Sequence, residues 1–72
     1  MPIYHAADPL LCPKEAATYL NLSVDWLARE RWKGTGPGYV RLSGGRFGAI
    51  RYRRSALDAY VAAHTIDPRG GL

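Results

Sequence analysis

The chain has 72 residues, which gives room for one domain with one small hydrophobic core and excludes a second domain. Ten lysines and arginines against six aspartates and glutamates give a net charge of +4, and eight of the ten are arginine, which forks onto phosphates and guanine edges and indicates an anionic partner. The single cysteine excludes an internal disulfide, and the lack of a signal-like or membrane-length apolar segment predicts a soluble protein in a reducing, cytoplasmic setting.

Both ends of the chain are predicted to be tails. Residues 1–10 and 65–72 contain few periodic apolar positions and several chain-breaking residues. The predicted domain therefore covers residues 11–64, and we expect three helices and one β-hairpin within it.

The segment LCPKEAATYLNLSVDWL, residues 11–27, predicts two short helices joined by a tight turn. Pro13 suits the first position of a helix, where no N–H is needed, and Asn21 can adopt the left-handed conformation that ends one. Ser23 is the predicted N-cap of the second helix, which runs to about residue 32 or 33. Small side chains at positions 16 and 17 allow the two helices to approach closely, as in a helix-turn-helix.

A β-hairpin is predicted after the second helix. The Gly-rich stretch 34–38 cannot continue a helix, and residues 39–42 and 49–52 have the alternating character of strands. In the return strand, Ile50 and Tyr52 fall on one side and an arginine falls on the other.

A third helix is predicted to complete the core. Ser55 and Asp58 have the form of a capping box at its start, and its apolar residues recur at helical spacing as far as His64. Five aromatic residues stand at positions that suit core packing, namely Tyr19, Trp26, Tyr39, Tyr52 and Tyr60.

Three segments, LCPKEAATYLNLSVDWL, GTGPGYVRL and RYRRSALDAYV, resemble the small winged-helix proteins of the phage and mobile-element excisionase group. That group overlaps with AlpA-type regulators and with the DNA-binding domain of the MerR family. The resemblance covers about residues 11–64 and implies a winged helix-turn-helix, mainly α with a small β-hairpin. It implies that the second helix enters the major groove of double-stranded DNA and that the hairpin, the wing, lies in the adjacent minor groove. The loop at residues 43–49 is longer and richer in glycine than the usual tight wing turn.

Two rotational settings of the second helix compete. Periodicity alone predicts a core-facing stripe of Val24, Leu27, Ala28 and Trp32. The family's pattern instead packs Trp26 and Leu27 on the first helix. We favour the family's setting because a groove-facing helix can carry apolar residues that meet thymine methyls, and Trp26 would supply much of a small core. Glu30 and Arg31 then lie toward the interior, so their charged heads must pair or reach solvent.

In the family's setting, the residues of the second helix that face the groove are Ser23, Val24, Asp25, Ala28, Arg29 and Trp32. Lys33, which periodicity places outward, is also predicted to contact DNA. Arg29 projects outward in both settings and is the first candidate for a base or phosphate contact. Capping explains Ser23, and a phosphate contact would be an addition. Asp25 either orients Arg29 four residues later or accepts from a cytosine amine, and we favour the orienting role.

The predicted DNA contacts of the wing are Arg41, Gly45, Arg46 and Arg51. Arg46, at the loop tip, is predicted to enter the minor groove, while Arg41 and Arg51 either bind phosphate or keep the sheet soluble. Candidate contacts to the DNA backbone are Lys14, Arg53 and Arg54. For Arg53 and Arg54, the alternative is a salt bridge or plain solvation. Phe47, also in the loop, is a candidate contact to another subunit.

The sequence contains no recognisable nucleophile, metal-ligand or nucleotide-loop arrangement, so we expect neither catalysis nor a cofactor. The resemblance implies an excisionase in a bacterial or phage-infected cell, which binds and bends an attachment site, associates with itself on the DNA and directs a separate integrase toward excision. An AlpA or MerR-like transcriptional regulator is the alternative, although a MerR regulator normally adds a long dimerisation helix and an effector domain. A module that binds an acidic protein is a third hypothesis.

Overall fold

The computed structural model describes residues 8–44 and 48–68. Its elements, in chain order, are β1 (Leu10–Leu11), α1 (Pro13–Leu20), α2 (Val24–Lys33), β2 (Val40–Arg41), β3 (Ile50–Arg53) and α3 (Arg54–Ala63). The fold is a winged helix-turn-helix, in which α1 and α2 form the helix-turn-helix and β2 and β3 form the wing. Three predicted contacts lie outside the described residues, namely Gly45, Arg46 and Phe47. None of the described helices is long and apolar enough to span a membrane.

Helix α1 begins and ends where the sequence predicts. Pro13 is its first residue, and the N–H of Cys12 just before it donates to the Glu15 carboxylate at 3.0 Å. This backbone hydrogen bond lowers the pKa of Glu15 because it favours the charged carboxylate. At the other end, Asn21 adopts the left-handed conformation with φ of 60°, and its own N–H satisfies two of the last carbonyls. Local sequence signals therefore fix both ends of α1.

Helix α2 follows directly, and its predicted cap is confirmed. The Ser23 hydroxyl oxygen accepts a hydrogen bond from the Trp26 N–H at 3.0 Å. Gly34 ends the helix with a φ of 80°. Gly36 has a φ of 82°, and a Cβ at that position would lie 2.6 Å from the Cβ of Glu30. The chain can therefore fold back under the end of α2 only because position 36 has no side chain.

The three strands form one antiparallel sheet in the order β1-β3-β2. Val40 lies opposite Arg51 in the predicted hairpin, and Leu10 lies opposite Arg53 at the other edge. Strand β1 was not predicted, and Leu10 was assigned to the tail. A strand of two residues has no alternation that a sequence pattern could reveal, so the hairpin was recognised and its third strand was missed.

The capping box predicted for α3 is wrong. The helix begins at Arg54, and the N–H and hydroxyl of Ser55 both donate to the carboxylate of Asp8, each at 2.8 Å. These bonds, the backbone one foremost, lower the pKa of Asp8. Asp58 instead accepts from the Tyr19 hydroxyl of α1 at 2.5 Å. The cap of α3 is therefore supplied by a residue 47 positions away.

The core lies where α1, α2, α3 and the sheet meet, and its buried residues are Ala16, Ala17, Leu27, Tyr52 and Leu57. The predicted aromatic core is confirmed for Tyr52, while Trp26 and Tyr60 are half-buried. It is wrong for Tyr19 and Tyr39, which are 48% and 40% exposed. The Tyr19 hydroxyl donates to Asp58, and the Tyr39 ring lies near the Arg31 guanidinium and 6.2 Å from the ring of buried Tyr52.

Candidate nucleic-acid interface

Burial along α2 decides which face of the helix is free. Leu27 is fully buried, and Trp26 is half-buried with its ring edge-on to an aromatic ring of α3, the centroids 6.0 Å apart. Trp32, by contrast, is 90% exposed and Val24 is 43% exposed. The burial of Leu27 and Trp26 follows the family's setting, although the ring partner of Trp26 lies on α3. The core-facing stripe predicted from periodicity alone is wrong for Val24, Ala28 and Trp32.

The exposed side of α2 carries two neighbouring rows of side chains. The apolar row consists of Val24, Ala28 and Trp32. The charged row consists of Asp25, Arg29 and Lys33. Residues four apart are neighbours on a helix surface, so each row runs along the helix. All six are exposed, as is Ser23 at the N-cap, and the structure thus brings together on one side of α2 every residue of this helix predicted to contact DNA.

The charged row is less internally paired than predicted. No ion pair joins Asp25 to Arg29 among the described residues, so the orienting role predicted for Asp25 is not formed. The Lys33 ammonium lies 3.2 Å from a carboxylate oxygen of Glu30, and the Lys33 side chain is 58% exposed. The Glu30 side chain is only 14% exposed, so Lys33 is partly committed to this partner while most of its own side chain stays accessible.

Glu30 and Arg31 lie on the inner side of α2, and both charged heads have partners, as the favoured setting requires. Glu30 accepts from the Thr35 hydroxyl at 2.5 Å, and this hydrogen bond lowers the pKa of Glu30. Arg31 donates from Nη1 to the Tyr52 hydroxyl at 2.8 Å. One residue thus ties α2 to the turn that follows it, and the other ties α2 to the sheet.

Tyr39 lies near two guanidinium groups at the base of the wing. The Cζ atom of Arg31 is 5.9 Å from the centroid of the Tyr39 ring, and that of Arg41 is 6.0 Å from it. Both distances suit cation–π attraction. The ring therefore connects α2 to β2, which fixes the position of the wing relative to the exposed rows.

The wing arginines differ in their surroundings. Arg41 is exposed, whereas Arg51 is half-buried and donates from Nη1 to the Ile50 carbonyl at 2.8 Å. Arg51 is thereby partly committed to the sheet. Of the two, Arg41 is the more exposed.

The candidate backbone contacts occupy two separate helix starts. Lys14 is exposed in the first turn of α1. Arg53 is exposed at the N-cap of α3, and it also lines a depression beside β2. Arg54 forms the salt bridge considered from the sequence, with Nε 3.9 Å from an Asp58 oxygen. Lys14 and Arg53 form no ion pair within residues 8–44 and 48–68.

Sequence reasoning missed the residues that position the interface. Arg31 was predicted to need a partner, but Tyr52 was not named as that partner, and Tyr39 was assigned to the core. Asp8 was assigned to a tail. An aromatic hydroxyl on a predicted inward-facing strand position was the one available signal for the Arg31 contact.

The described residues contain no group of three or more His, Cys, Asp or Glu that could hold a metal ion. A family model described as a helix-turn-helix domain matches residues 10–65. No curated protein and no solved structure matches the chain significantly. The match spans most of the 72 residues and includes the helices and the wing described above. Members of this family typically bind DNA without catalysing a reaction. The chain therefore belongs to the helix-turn-helix domain family.

Proposed function

We propose that this chain binds a specific site on double-stranded DNA, with α2 in the major groove and the wing in the adjacent minor groove. The observation that carries the proposal is the exposed side of α2, where the apolar row and the charged row are adjacent. Buried Leu27, on the opposite side, packs the helix into the core. A helix about 10–12 Å in diameter fits the major groove, which is about 12 Å wide.

Phosphate contacts supply the sequence-independent part of this binding. Arg29 and Lys33 lie on α2, Arg41 lies on the wing, and Lys14 and Arg53 flank the helix starts. Such contacts fix the position of a protein on the duplex, while contacts to base edges select the sequence.

Selection from a pool of random duplexes, followed by fluorescence anisotropy of the recovered sequence, tests the proposal. The recovered duplex should bind on the order of a thousandfold more tightly than a scrambled one. Its affinity should fall steeply between about 50 and 200 mM salt, because bound counterions are released from the DNA. Recovery of no sequence, or equal affinity for acidic polypeptide, would reject DNA as the partner and favour the protein-interaction module.

We further propose that the binding serves site-specific recombination, with this chain acting as an excisionase that directs an integrase. The support is the resemblance of three segments, which together span the helix-turn-helix, the entry to the wing and α3. One small module buries only about 600–1,000 Å² of protein surface on DNA. Several copies side by side would supply the missing affinity and would accumulate the bend that a recombinase complex needs.

Reconstituted recombination separates this role from transcriptional regulation. A plasmid that carries both attachment sites of the element is incubated with its integrase, with and without this chain. Excision that depends on the chain, together with bending of the bound fragment in a circular-permutation mobility assay, is the expected result. Tight binding at a promoter with no effect on excision would assign the chain to the regulators instead.

A further inference from the structure

The apolar row of α2 contains the most exposed large apolar side chain among the described residues. Trp32 is 90% exposed and Val24 is 43% exposed, with Ala28 between them. Beside this row is a shallow, largely apolar depression lined by Ala28, Arg29, Trp32 and Lys33. Covering apolar surface with another apolar group lowers the free energy, because that surface leaves water. The row therefore favours a ligand that is itself partly apolar.

The charged row limits what that ligand can be. Arg29 and Lys33 lie one residue beyond Ala28 and Trp32 along the helix, so the covering surface must place apolar groups beside negative charge. The major groove has this combination, because the C5-methyl of thymine is the apolar group on its floor and phosphates line its edges.

The length of the row matches several base pairs. From Val24 to Trp32 the helix rises about 12 Å, and successive bases on one strand are about 3.4 Å apart. We propose that the apolar row reads thymine methyl groups, so that this chain selects sites with thymines at two or more neighbouring positions in the major groove. This inference rests on the proposed DNA-binding function and adds to it the class of sequence that α2 recognises.

Replacement of thymine by deoxyuridine tests it directly. Deoxyuridine keeps the pairing edge and the O4 acceptor and removes only the methyl group. In the duplex recovered by selection, each thymine is replaced in turn, and the dissociation constant is measured by fluorescence anisotropy. At least two neighbouring positions should each lose about fourfold in affinity, which is the transfer free energy of one buried methyl, about 0.8 kcal/mol, converted to a ratio.

The variant Trp32→Ala assigns the effect to the row. Because the Trp32 side chain is 90% exposed, the substitution leaves the core intact, and circular dichroism checks that the fold is kept. The deoxyuridine penalty nearest Trp32 should disappear in this variant. Arg29→Ala is the matched control from the charged row, and it should weaken binding while keeping the penalty.

Four outcomes would overturn the inference. A selected site without neighbouring thymines, or a site whose affinity changes less than about twofold at every deoxyuridine, removes methyl reading while leaving DNA binding in place. A penalty unchanged in Trp32→Ala assigns the methyl effect to another part of the protein. Loss of cooperativity in Trp32→Ala, with no deoxyuridine effect, assigns the row to contacts with a second copy. Failure to recover any duplex instead removes the proposed function as well.

Discussion

The guanidinium of Arg31 donates to the hydroxyl of buried Tyr52 at 2.8 Å, and this bond joins the helix that carries the exposed rows to the central strand of the sheet. The same guanidinium lies 5.9 Å from the centroid of the Tyr39 ring. The angle between α2 and the wing is thus set by side chains on the inner side of α2, separate from those that face solvent. Within α2, Arg31 and the two exposed rows lie on opposite sides of the helix.

Tyr52→Phe should destabilise the fold. The substitution keeps the ring in the core and removes the partner of a half-buried guanidinium, for which a loss of about 1–2 kcal/mol is expected. Urea denaturation followed by circular dichroism measures it. Tyr39→Phe is the matched control, because the Tyr39 hydroxyl has no hydrogen bond within residues 8–44 and 48–68. Equal losses from the two variants would contradict a specific role for the Arg31 bond.

Asp8→Ala should lower the melting temperature at neutral pH, and the difference from the parent should vanish in acid. The N–H of Ser55 first, and then its hydroxyl, lower the pKa of Asp8 below its ordinary value of 3.8. A lowered pKa in the folded state means that the carboxylate stabilises the fold above pH 3.8 and loses this effect as pH falls through the folded value.

Thermal melts of parent and Asp8→Ala between neutral pH and about pH 2 measure this effect. Ser55→Ala is the control, because it removes the hydroxyl bond and leaves the backbone bond, so its loss at neutral pH should be smaller. A difference between parent and Asp8→Ala that stays constant across the range would exclude the carboxylate as the cap of α3.

Gly36→Ala should be more damaging than Gly34→Ala. Both positions have left-handed φ, 82° and 80°, which costs a residue with a Cβ about 1–2 kcal/mol. At position 36 the new Cβ would also lie 2.6 Å from the Cβ of Glu30, whereas at position 34 no atom lies within 4 Å. Urea midpoints of the two variants give the comparison, and similar midpoints would show that the turn relaxes without cost.

Arg29→Ala and Lys14→Ala should affect DNA binding in different ways. A bidentate base contact from Arg29 would cost about 1–3 kcal/mol on the selected site and much less on random DNA. Loss of a phosphate contact at Lys14 would weaken both alike and reduce the salt slope by about 1. Competition assays with specific and random duplexes at several salt concentrations distinguish the two. Identical profiles would reject this separation of base reading from backbone positioning.

The parts of the fold that the sequence predicted depend on residues close together in the chain. The helix ends depend on local effects of three residues, each of which stands at the end predicted for it: Pro13, Asn21 and Ser23. Each affects only the adjacent turn of its helix. The cap of α3 could not be found in this way, because Asp8 and Ser55 are 47 positions apart. The sequence therefore predicted a local capping box between Ser55 and Asp58, whereas Ser55 bonds to Asp8.

The interface was predicted to a similar extent and for the same reason. Leu27 and Trp26 lie on the core side of α2, which leaves the opposite side exposed. The family's setting predicts this from the sequence. The inner contacts of Arg31 depend on how β3 and β2 pass under the helix. That arrangement is a property of the packed domain, so no spacing along the chain encodes it. The predicted contacts themselves stay predictions until DNA binding is measured.

The two tryptophans of this chain stand in opposite environments, and this gives the protein two built-in optical reporters. Trp26, half-buried against an aromatic ring of α3, should emit at shorter wavelength and shift to the red when the domain unfolds. Trp32, 90% exposed, should emit as a solvated indole that acrylamide quenches freely. Because a duplex lying along α2 would shield Trp32 and leave Trp26 unchanged, folding and DNA association can be followed separately in one unlabelled sample.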